Sequence, residues 1–280
     1  MTTMALVALL AGAGAVLVWL SGQIGWLARV GPPLCFGLLV LAAWQVACIG
    51  YDIPRILLPP PSAIGSAALS HGSMLGADFV QTVLRAVVPG VLIGSSAGFL
   101  AGIALDRSDF LRRGVMPLGT LAAAMPIVGI APIMVMWFGF DWPSKAAVVA
   151  VMTFFPMLIQ VTAGLAAAGG LERDVMRSYG ASYAATLLHL RLPSAVPFVF
   201  VALKLNATLA LIGAIVAEFF GTPIVGMGFR ISTEVARMNL DLVWAEIAVA
   251  SLTGTLTVAI ISVIERRLAF WHPAFRPVPA

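Results

Sequence analysis

The sequence predicts an all-α, polytopic membrane protein with six or seven transmembrane helices. Of its 280 residues, 61% are hydrophobic and only 10% are charged, and the mean hydropathy is +1.03. A soluble domain is roughly half apolar and a quarter charged. A helix needs about 20 apolar residues to cross a hydrocarbon core about 30 Å thick. Several runs of that size are separated by polar joints, and the short alternating segments of a membrane β-barrel are absent from the sequence.

Residues 1–50 predict one or two transmembrane helices. Residues 4–20 are apolar, and no Lys or Arg precedes them. This argues against a signal peptide, which begins with basic residues, and favours a span over a helix on the membrane surface. A second apolar run, Leu34 to Gly50, is also expected to span. It carries Cys35 and Cys48 about 20 Å apart along one helix, so we expect two free thiols with apolar character.

Residues 51–80 form a polar, proline-rich joint that is expected on the extracytoplasmic side. Pro59-Pro60-Pro61 stiffens the backbone. Ser62 follows directly and is predicted to cap a short amphipathic helix.

Residues 81–267 are predicted to form a core of five transmembrane helices, and residues 268–280 a tail. The first span carries a glycine at every fourth position from Gly90 to Gly102. Such a face allows close approach of another helix, either of this chain or of a second copy. Prolines bend or interrupt the second span and free carbonyl groups that neighbours or water must satisfy. The spans are expected at Gln81–Leu105, Val115–Phe140, Ala146–Ala168, Ala195–Phe220 and Leu242–Ile264.

A charged segment at residues 171–197, called the charged loop below, interrupts the apolar pattern. Its charges are too costly for the membrane interior, so the loop lies in water or on a partner. Two short helices are predicted, with a break at Gly180 and with Ser182 capping the second. In that second helix Tyr183, Leu187 and Leu190 recur at i, i+4 and i+7 and predict an apolar docking face.

The basic residues of the joints indicate the orientation of the spans. If the charged loop is cytoplasmic, nine basic residues lie on its side and five on the other. The positive-inside rule therefore places the charged loop and the C-terminus in the cytoplasm. The nine are Arg107, Arg112, Arg113, Arg173, Arg177, Arg191, Arg266, Arg267 and Arg276, and the five are Arg55, Arg85, Lys145, Arg230 and Arg237.

The charged loop resembles that of the membrane-spanning subunits of type I, binding-protein-dependent ATP-binding cassette (ABC) importers. That family's loop reads Glu-Ala-Ala, three residues, Gly, nine residues, then Ile-x-Leu-Pro. Here Gly180 stands nine residues before Leu190-Arg191-Leu192-Pro193, whereas Asp174-Val175-Met176 replaces the opening triplet. This departure raises the question of how the first short helix fits its partner.

The resemblance extends from Leu57 to Arg267. It also includes the Ala217-Glu218 and Gly226-Met227-Gly228 segments. Within this family, the chain is similar to the branch that handles sulfonates, taurine, nitrate or bicarbonate, and thiamine-precursor pyrimidines. The run from Glu218 to Pro223 resembles the permeases for pyrimidines, riboflavin and related heterocycles.

The resemblance implies a type I permease fold in a bacterial inner membrane. It implies three protein partners: a cytoplasmic ATPase subunit, an extracytoplasmic solute-binding protein and a second permease copy in a homodimer. Membrane lipid surrounds the chain, and no nucleic acid is involved. ATP and Mg²⁺ belong to the ATPase subunit, so this chain is expected to be non-catalytic, with no cofactor or metal of its own.

The resemblance also implies two groups of functional residues. The ATPase-docking group is Asp174, Arg177, Tyr179, Gly180, Ala181, Ser182, Leu190 and Pro193. For the translocation path, polar side chains at membrane depth and two adaptable methionines are the candidates, since intramembrane polar groups face protein or water. They are Met134, Met136, Gln160, Asn206, Thr208 and Glu218. Glu218 has the alternative of pairing with Arg230 or Arg237.

An ion-coupled secondary transporter is the alternative from another functional class. Such a protein is expected to have inverted repeats and acid pairs at mid-depth. The sequence shows neither.

Overall fold

The computed structural model describes residues 26–123, 125–221 and 224–270, and the single position Gly14. The predicted span at residues 4–20 and most of the tail lie outside these residues. Among them, five helices are long and apolar enough to cross a membrane: α3, α6, α8, α10 and the part of α1 from Val30 to Gly50. The helices are α1 (Trp26–Gly50), α2 (Pro61–Ser70), α3 (Gly72–Asp106), α4 (Asp109–Ala123), α5 (Ile127–Phe138), α6 (Trp142–Ala166), α7 (Gly170–Ser178), α8 (Tyr183–Glu218), α9 (Met227–Ala236) and α10 (Leu240–Leu268).

The all-α membrane fold is confirmed, because the described ranges contain helices and no strand. The predicted span Val115–Phe140 is interrupted. α4 ends at Ala123, and Pro126 stands in an extended conformation directly before α5. Proline is tolerated at a helix start because its missing N–H would have no helical partner there. At 15 and 12 residues, neither helix reaches the roughly 20 residues of a full span.

α8 is longer than predicted and unbroken. The sequence suggested a separate short helix in the charged loop and a new span from Ala195, but one helix runs from Tyr183 to Glu218. Its residues Leu187–Arg191 are wound as a π-helix, with Pro193 two residues later. α3 has the same arrangement, a π stretch at Val80–Val87 followed by Pro89. These wide turns accommodate the proline, which lacks the N–H of a regular turn, without ending the helix.

Contacts divide the chain into two compact units, of which one comprises residues up to 75 together with 231–248. In this unit Trp44 and Trp244 pack edge to face, with ring centroids 5.0 Å apart. The prediction that Ser62 caps α2 is wrong, because Pro60 occupies the cap position. The backbone N–H of Ser62 instead donates to Gln45 Oε1 at 3.0 Å, and its hydroxyl accepts from Gln45 Nε2 at 2.8 Å. Cys35 and Cys48 are free thiols, as expected.

The second unit comprises residues 76–230 and those from 249 onward. Its core is formed where α3 and α8 pack on α6. A Cβ atom added to Gly90 would lie 2.6 Å from Cβ of Val149, and one added to Gly102 would lie 2.6 Å from Cγ1 of Val161. The glycine face of α3 is therefore used for packing within the chain. The buried core residues include Val149, Met157, Leu158, Val161, Leu165, Ala195, Ala202, Ala210 and Ala214.

Candidate functional site

The first half of the charged loop is a helix closed by a glycine turn. Gly180 has φ +67°, a conformation that glycine adopts without the strain other residues meet. Its N–H donates to Arg177 O at 2.9 Å, and the N–H of Ala181 donates to Met176 O at 3.0 Å. This bond pair is the Schellman motif, which satisfies the last carbonyl groups of a helix. Gly180 thus ends α7 and turns the chain toward α8.

The second half of the charged loop begins with the predicted cap. Ser182 Oγ accepts from Ala185 N at 3.2 Å, so the N-cap of α8 is confirmed. The apolar face predicted for docking points inward. Tyr183 and Leu190 are half-buried, Leu187 packs against the core of the unit, and the Tyr183 hydroxyl donates to Asp106 Oδ2 at 3.1 Å. The expectation of an exposed docking face on these residues is therefore wrong.

An exposed apolar stripe lies on α7 instead. Leu171, Val175 and Tyr179 are 78%, 46% and 85% exposed, respectively. Their spacing of four residues places them along one side of the helix. Asp174 and Arg177 flank the stripe and are also exposed, with 3.6 Å between Asp174 Oδ1 and Arg177 Nη1. The structure thus presents a small apolar surface with one charge of each sign beside it.

Two arginines fix the base of the charged loop to the end of α6. Arg173 Nη2 donates to Ala166 O at 2.7 Å, and Arg191 Nε donates to Leu165 O at 3.1 Å. Cations at a helix C-terminus are favourable because the last carbonyl groups lack helical partners. Arg191 also pairs with Asp106, the last residue of α3. The loop therefore stands on a fixed base while its tip is exposed.

A buried polar cluster lies at the opposite ends of the same helices. The N–H groups of Gly226, just before α9, and of the first two residues of α9 are each bonded by a side chain. Gly226 N donates to Asp78 Oδ1 at 2.6 Å, Met227 N to Thr82 Oγ1 at 2.9 Å, and Gly228 N to Glu218 Oε2 at 2.7 Å. Carboxylates are favourable at a helix N-terminus, where unpaired N–H groups gather. The two motifs Ala217-Glu218 and Gly226-Met227-Gly228 thus meet in this cap.

The same cluster includes an ion pair and a buried lysine. Arg230 Nε donates to Asp78 Oδ2 at 2.9 Å. Thr82 Oγ1 donates to Glu218 Oε1 at 2.8 Å. Lys145 is 1% exposed and its ammonium donates to the carbonyl groups of Phe140, at 2.6 Å, and Gly221. Lys145 thus holds the turn that follows α8, whereas the sequence identified it only as a basic residue of a joint.

The predicted path residues do not share one surface. Asn206 is fully buried, and its Nδ2 donates to Ser95 Oγ at 2.9 Å and Thr153 O at 2.8 Å. Asn206 and Glu218 therefore hold helices together inside the core and face no open space in this structure. Gln160 and Met134 are half-buried, whereas Met136 is 83% exposed. For these three the path role stays a prediction.

Thr208, another predicted path residue, lies on a groove. The groove has a volume of about 540 Å³ and runs between α8 and α10. Three of its lining residues carry hydroxyl groups, and the rest are glycine or aliphatic. They are Thr208, Leu211, Ile212, Ile215, Ala250, Ser251, Gly254, Thr255 and Val258.

Sequence reasoning missed four side chains that organise these sites: Asp78, Thr82, Asp106 and Lys145. Asp106 and Arg191 are 85 residues apart in the chain, and Thr82 and Glu218 are 136 apart. No local pattern reports such pairs. One available signal was Asp106 itself, because a carboxylate at a helix C-terminus is locally unfavourable and requires a partner.

Comparisons with known proteins define the family to which this fold belongs. Residues 90–270 match the family described as binding-protein-dependent transport system inner membrane component. The chain belongs to this family, and is a permease component of a binding-protein-dependent ABC importer for small solutes. This membership replaces the alternative of an ion-coupled secondary transporter.

Individual relatives cover most of the chain. The formylaminopyrimidine transport permease protein ThiX of Halalkalibacterium halodurans is 28% identical over 240 residues, 86% of this chain and 95% of the relative. The riboflavin transport system permease protein RibX of Chloroflexus aurantiacus is 27% identical over 238 residues, 84% of this chain and 88% of the relative. The taurine transport system permease protein TauC of Escherichia coli is 26% identical over 244 residues, 84% of this chain and 86% of the relative.

Proposed function

We propose that the α7 stripe of Leu171, Val175 and Tyr179 is the surface by which this permease docks a partner ATPase subunit. The observation that carries the proposal is the exposure of these three apolar side chains on a helix closed by a Schellman turn. Buried aromatic anchors supply much of the energy of protein interfaces. Asp174 and Arg177 lie beside the stripe and give the contact its orientation, since charge complementarity sets register.

The proposal includes the arrangement of the complex. The charged loop and the C-terminus face the cytoplasm, in agreement with the distribution of arginines. Two copies of this chain, surrounded by membrane lipid, form the path, and an extracytoplasmic binding protein delivers the solute. ATP and Mg²⁺ are bound by the ATPase subunit, whose closure moves the charged loop. This chain itself carries no catalytic residue in the proposal.

Co-purification with a tagged partner ATPase tests the docking surface. Tyr179→Asp places a carboxylate in the stripe and is expected to reduce the ATPase recovered by about tenfold, equivalent to about 1.4 kcal/mol. Arg177→Glu is expected to reduce recovery by a smaller factor. Leu69→Asp is the matched control, because Leu69 is 88% exposed and lies on α2. Recovery of the ATPase with Tyr179→Asp at the control level would contradict the proposal.

For the solute, we propose a neutral aromatic heterocycle of the pyrimidine type. The groove that contains Thr208 supports this class. Its lining residues carry no charge, and a sulfonate or nitrate ion would find no cation there to offset its desolvation. The hydroxyl groups of Thr208, Ser251 and Thr255 offer hydrogen bonds to ring nitrogens and exocyclic groups. The relatives that transport formylaminopyrimidine and riboflavin agree with this choice.

The partner binding protein provides the test of the solute class. Calorimetric titration with a formylaminopyrimidine, riboflavin, taurine and nitrate is expected to give a Kd for one heterocycle at least about 100-fold below that for taurine. The second candidate is a sulfonate such as taurine, which the likeness to TauC favours. Tighter binding of taurine than of either heterocycle would establish that candidate in place of ours.

A further inference from the structure

Asp106, Tyr183 and Arg191, together called the Asp106 joint, connect three helices beneath the charged loop. Arg191 Nη1 and Nη2 donate to Asp106 Oδ2 and Oδ1, each at 2.5 Å. The Tyr183 hydroxyl adds a third bond to Asp106, at 3.1 Å. Arg191 Nε donates to Leu165 O at 3.1 Å. One side chain thus ties the start of α8 to the last residues of both α3 and α6.

The Asp106 joint is buried, and its contacts fix the relative orientation of the side chains they connect. The side chains of Asp106 and Arg191 are 5% and 14% exposed. A two-pronged contact between guanidinium and carboxylate fixes orientation as well as distance, which a single-point ammonium contact does not. Arg107 lies over the Tyr183 ring, with 5.1 Å between its Cζ atom and the ring centroid. Relative rotation of α3 and α8 at this end would break several bonds at once.

The π-helical stretch of α8 contributes to the geometry of the Asp106 joint. Tyr183 and Arg191 are eight residues apart, which in a regular α-helix would leave them about 80° apart around the axis. The π stretch at Leu187–Arg191 winds more slowly than an α-helix. Both side chains consequently reach the carboxylate of Asp106.

The tip of the charged loop, residues 174–182, lies between two attachments to the core. Arg173, in the first turn of α7, donates to Ala166 O, and the Asp106 joint holds the chain after α7. Between these two points the side chains of Asp174, Arg177 and Tyr179 are exposed. A displacement of α7 therefore reaches α3 and α6 through these arginines.

We propose that the Asp106 joint transmits movement of the charged loop to α3 and α6, with Asp106, Tyr183 and Arg191 as positioning residues for transport. This inference rests on the proposed docking of an ATPase to α7. In the intact joint, the loop and the cytoplasmic end of α3 move as one body when the ATPase closes. With the joint broken, the ATPase still docks and moves the loop, but α3 does not follow.

Spin labels on the loop and on α3 test the transmission directly. Ser178→Cys, which lies outside the proposed docking stripe, and Leu100→Cys, both on exposed residues, receive the labels after Cys35→Ser and Cys48→Ala remove the native thiols. The permease–ATPase complex is compared in nanodiscs without nucleotide and with ATP, Mg²⁺ and vanadate. With the joint intact we expect one narrow label-to-label distance distribution in both states. Arg191→Lys retains the positive charge but loses the two-pronged contact with the Asp106 carboxylate. It is expected to broaden the distance distribution in the vanadate state about twofold.

The control is the ion pair of Lys204 with Glu265, which joins α8 to α10 through one contact. Glu265→Gln weakens a partly buried ion pair, as Arg191→Lys weakens that of the joint, but is expected to leave the distribution narrow. Tyr183→Phe, which deletes one bond of the joint, is expected to give intermediate broadening and serves if Arg191→Lys does not fold. An unchanged narrow distribution in the joint variant that folds would overturn the inference.

Co-purification separates this inference from the proposed function. If the ATPase does not co-purify with the wild-type permease, the proposed docking itself is refuted. Loss of the ATPase from folded Arg191→Lys alone would show that the joint shapes the docking surface, and would overturn the transmission role.

Discussion

The two ends of the bundle of α3, α6 and α8 differ in how their connecting turns are held. At one end buried side chains bond the backbone of the following turn, so that Asp78, Thr82 and Glu218 fix the start of α9. At the other end the charged loop leaves its tip exposed, and its turn is held by its own backbone bonds at Gly180. Burial makes hydrogen bonds consequential, because an unpaired polar group in the interior loses its hydration without compensation.

Because of this difference, we expect the residues that determine stability and those that determine ATPase docking to lie at different ends of the bundle. Substitutions in the buried cluster should mainly change the free energy of unfolding. Substitutions of exposed side chains at the loop tip that keep the backbone turn at Gly180 should leave that quantity nearly unchanged and act on ATPase docking. Loops with few buried contacts belong to the low-stability part of a structure, where movement is possible.

The largest effect is expected for Glu218→Ala. It removes the acceptor of the Thr82 hydroxyl and of Gly228 N in a buried site, and should lower the free energy of unfolding by about 3 kcal/mol. Detergent-induced unfolding of the purified chain, followed by tryptophan fluorescence, measures this change. Glu172→Ala removes an exposed carboxylate of the charged loop and should stay within about 0.5 kcal/mol. Equal effects of the two variants would remove the distinction between the ends.

Thr82→Val should cost about 2 kcal/mol in the same measurement. The shape is retained, but Met227 N loses its acceptor and Glu218 loses a donor. Thr82→Ser keeps the hydroxyl group and should recover more than half of the loss. If the serine and valine variants are equally destabilised, packing of the methyl group rather than the hydrogen bonds is the dominant contribution.

Local features of both ends could be predicted from sequence, whereas distant pairs could not. The turn at Gly180 and the cap at Ser182 depend on residues within three to five positions, so composition and spacing were sufficient. Four of the five predicted core spans follow from hydropathy in the same way, whereas Val115–Phe140 is interrupted. The pairs Asp106–Arg191 and Asp78–Arg230 depend on how helices pack, which no local pattern contains.

Two incorrect expectations have a common physical cause. The break expected before Ala195 is absent, because a π stretch accommodates Pro193 within α8. The apolar side chains of Tyr183 and Leu187 face inward for the same reason, since the helix that carries them belongs to the core. Sequence periodicity identified an apolar face correctly but could not tell core from partner.

Gly180→Ala should lower the stability of the chain by about 1 kcal/mol, since φ is +67° there and a Cβ atom is disfavoured in that conformation. No atom lies within 4 Å of an added Cβ at this position, so backbone strain is the cause. Gly170→Ala in the first turn of the same helix meets no atom either and has no positive φ. It should raise stability by about 0.5 kcal/mol. If the two alanine variants change the free energy of unfolding in the same direction, this interpretation of the turn is contradicted.

The smallest effect is expected for Asp174→Ala, which removes an ion pair at the loop tip. The charges are 3.6 Å apart with side chains 72% and 82% exposed, and such pairs contribute at most about 0.5 kcal/mol. Asp78→Ala removes the corresponding contact of the buried cluster, where the Asp78 side chain has no exposure, and should cost about 3 kcal/mol. Raising the salt concentration should reduce the effect of the first variant, because water and ions reach that pair, and should leave the second nearly unchanged. A loss above about 1 kcal/mol for Asp174→Ala would mean that this exposed pair contributes as much to stability as a buried one, and the distinction between the loop tip and the buried cluster would fail.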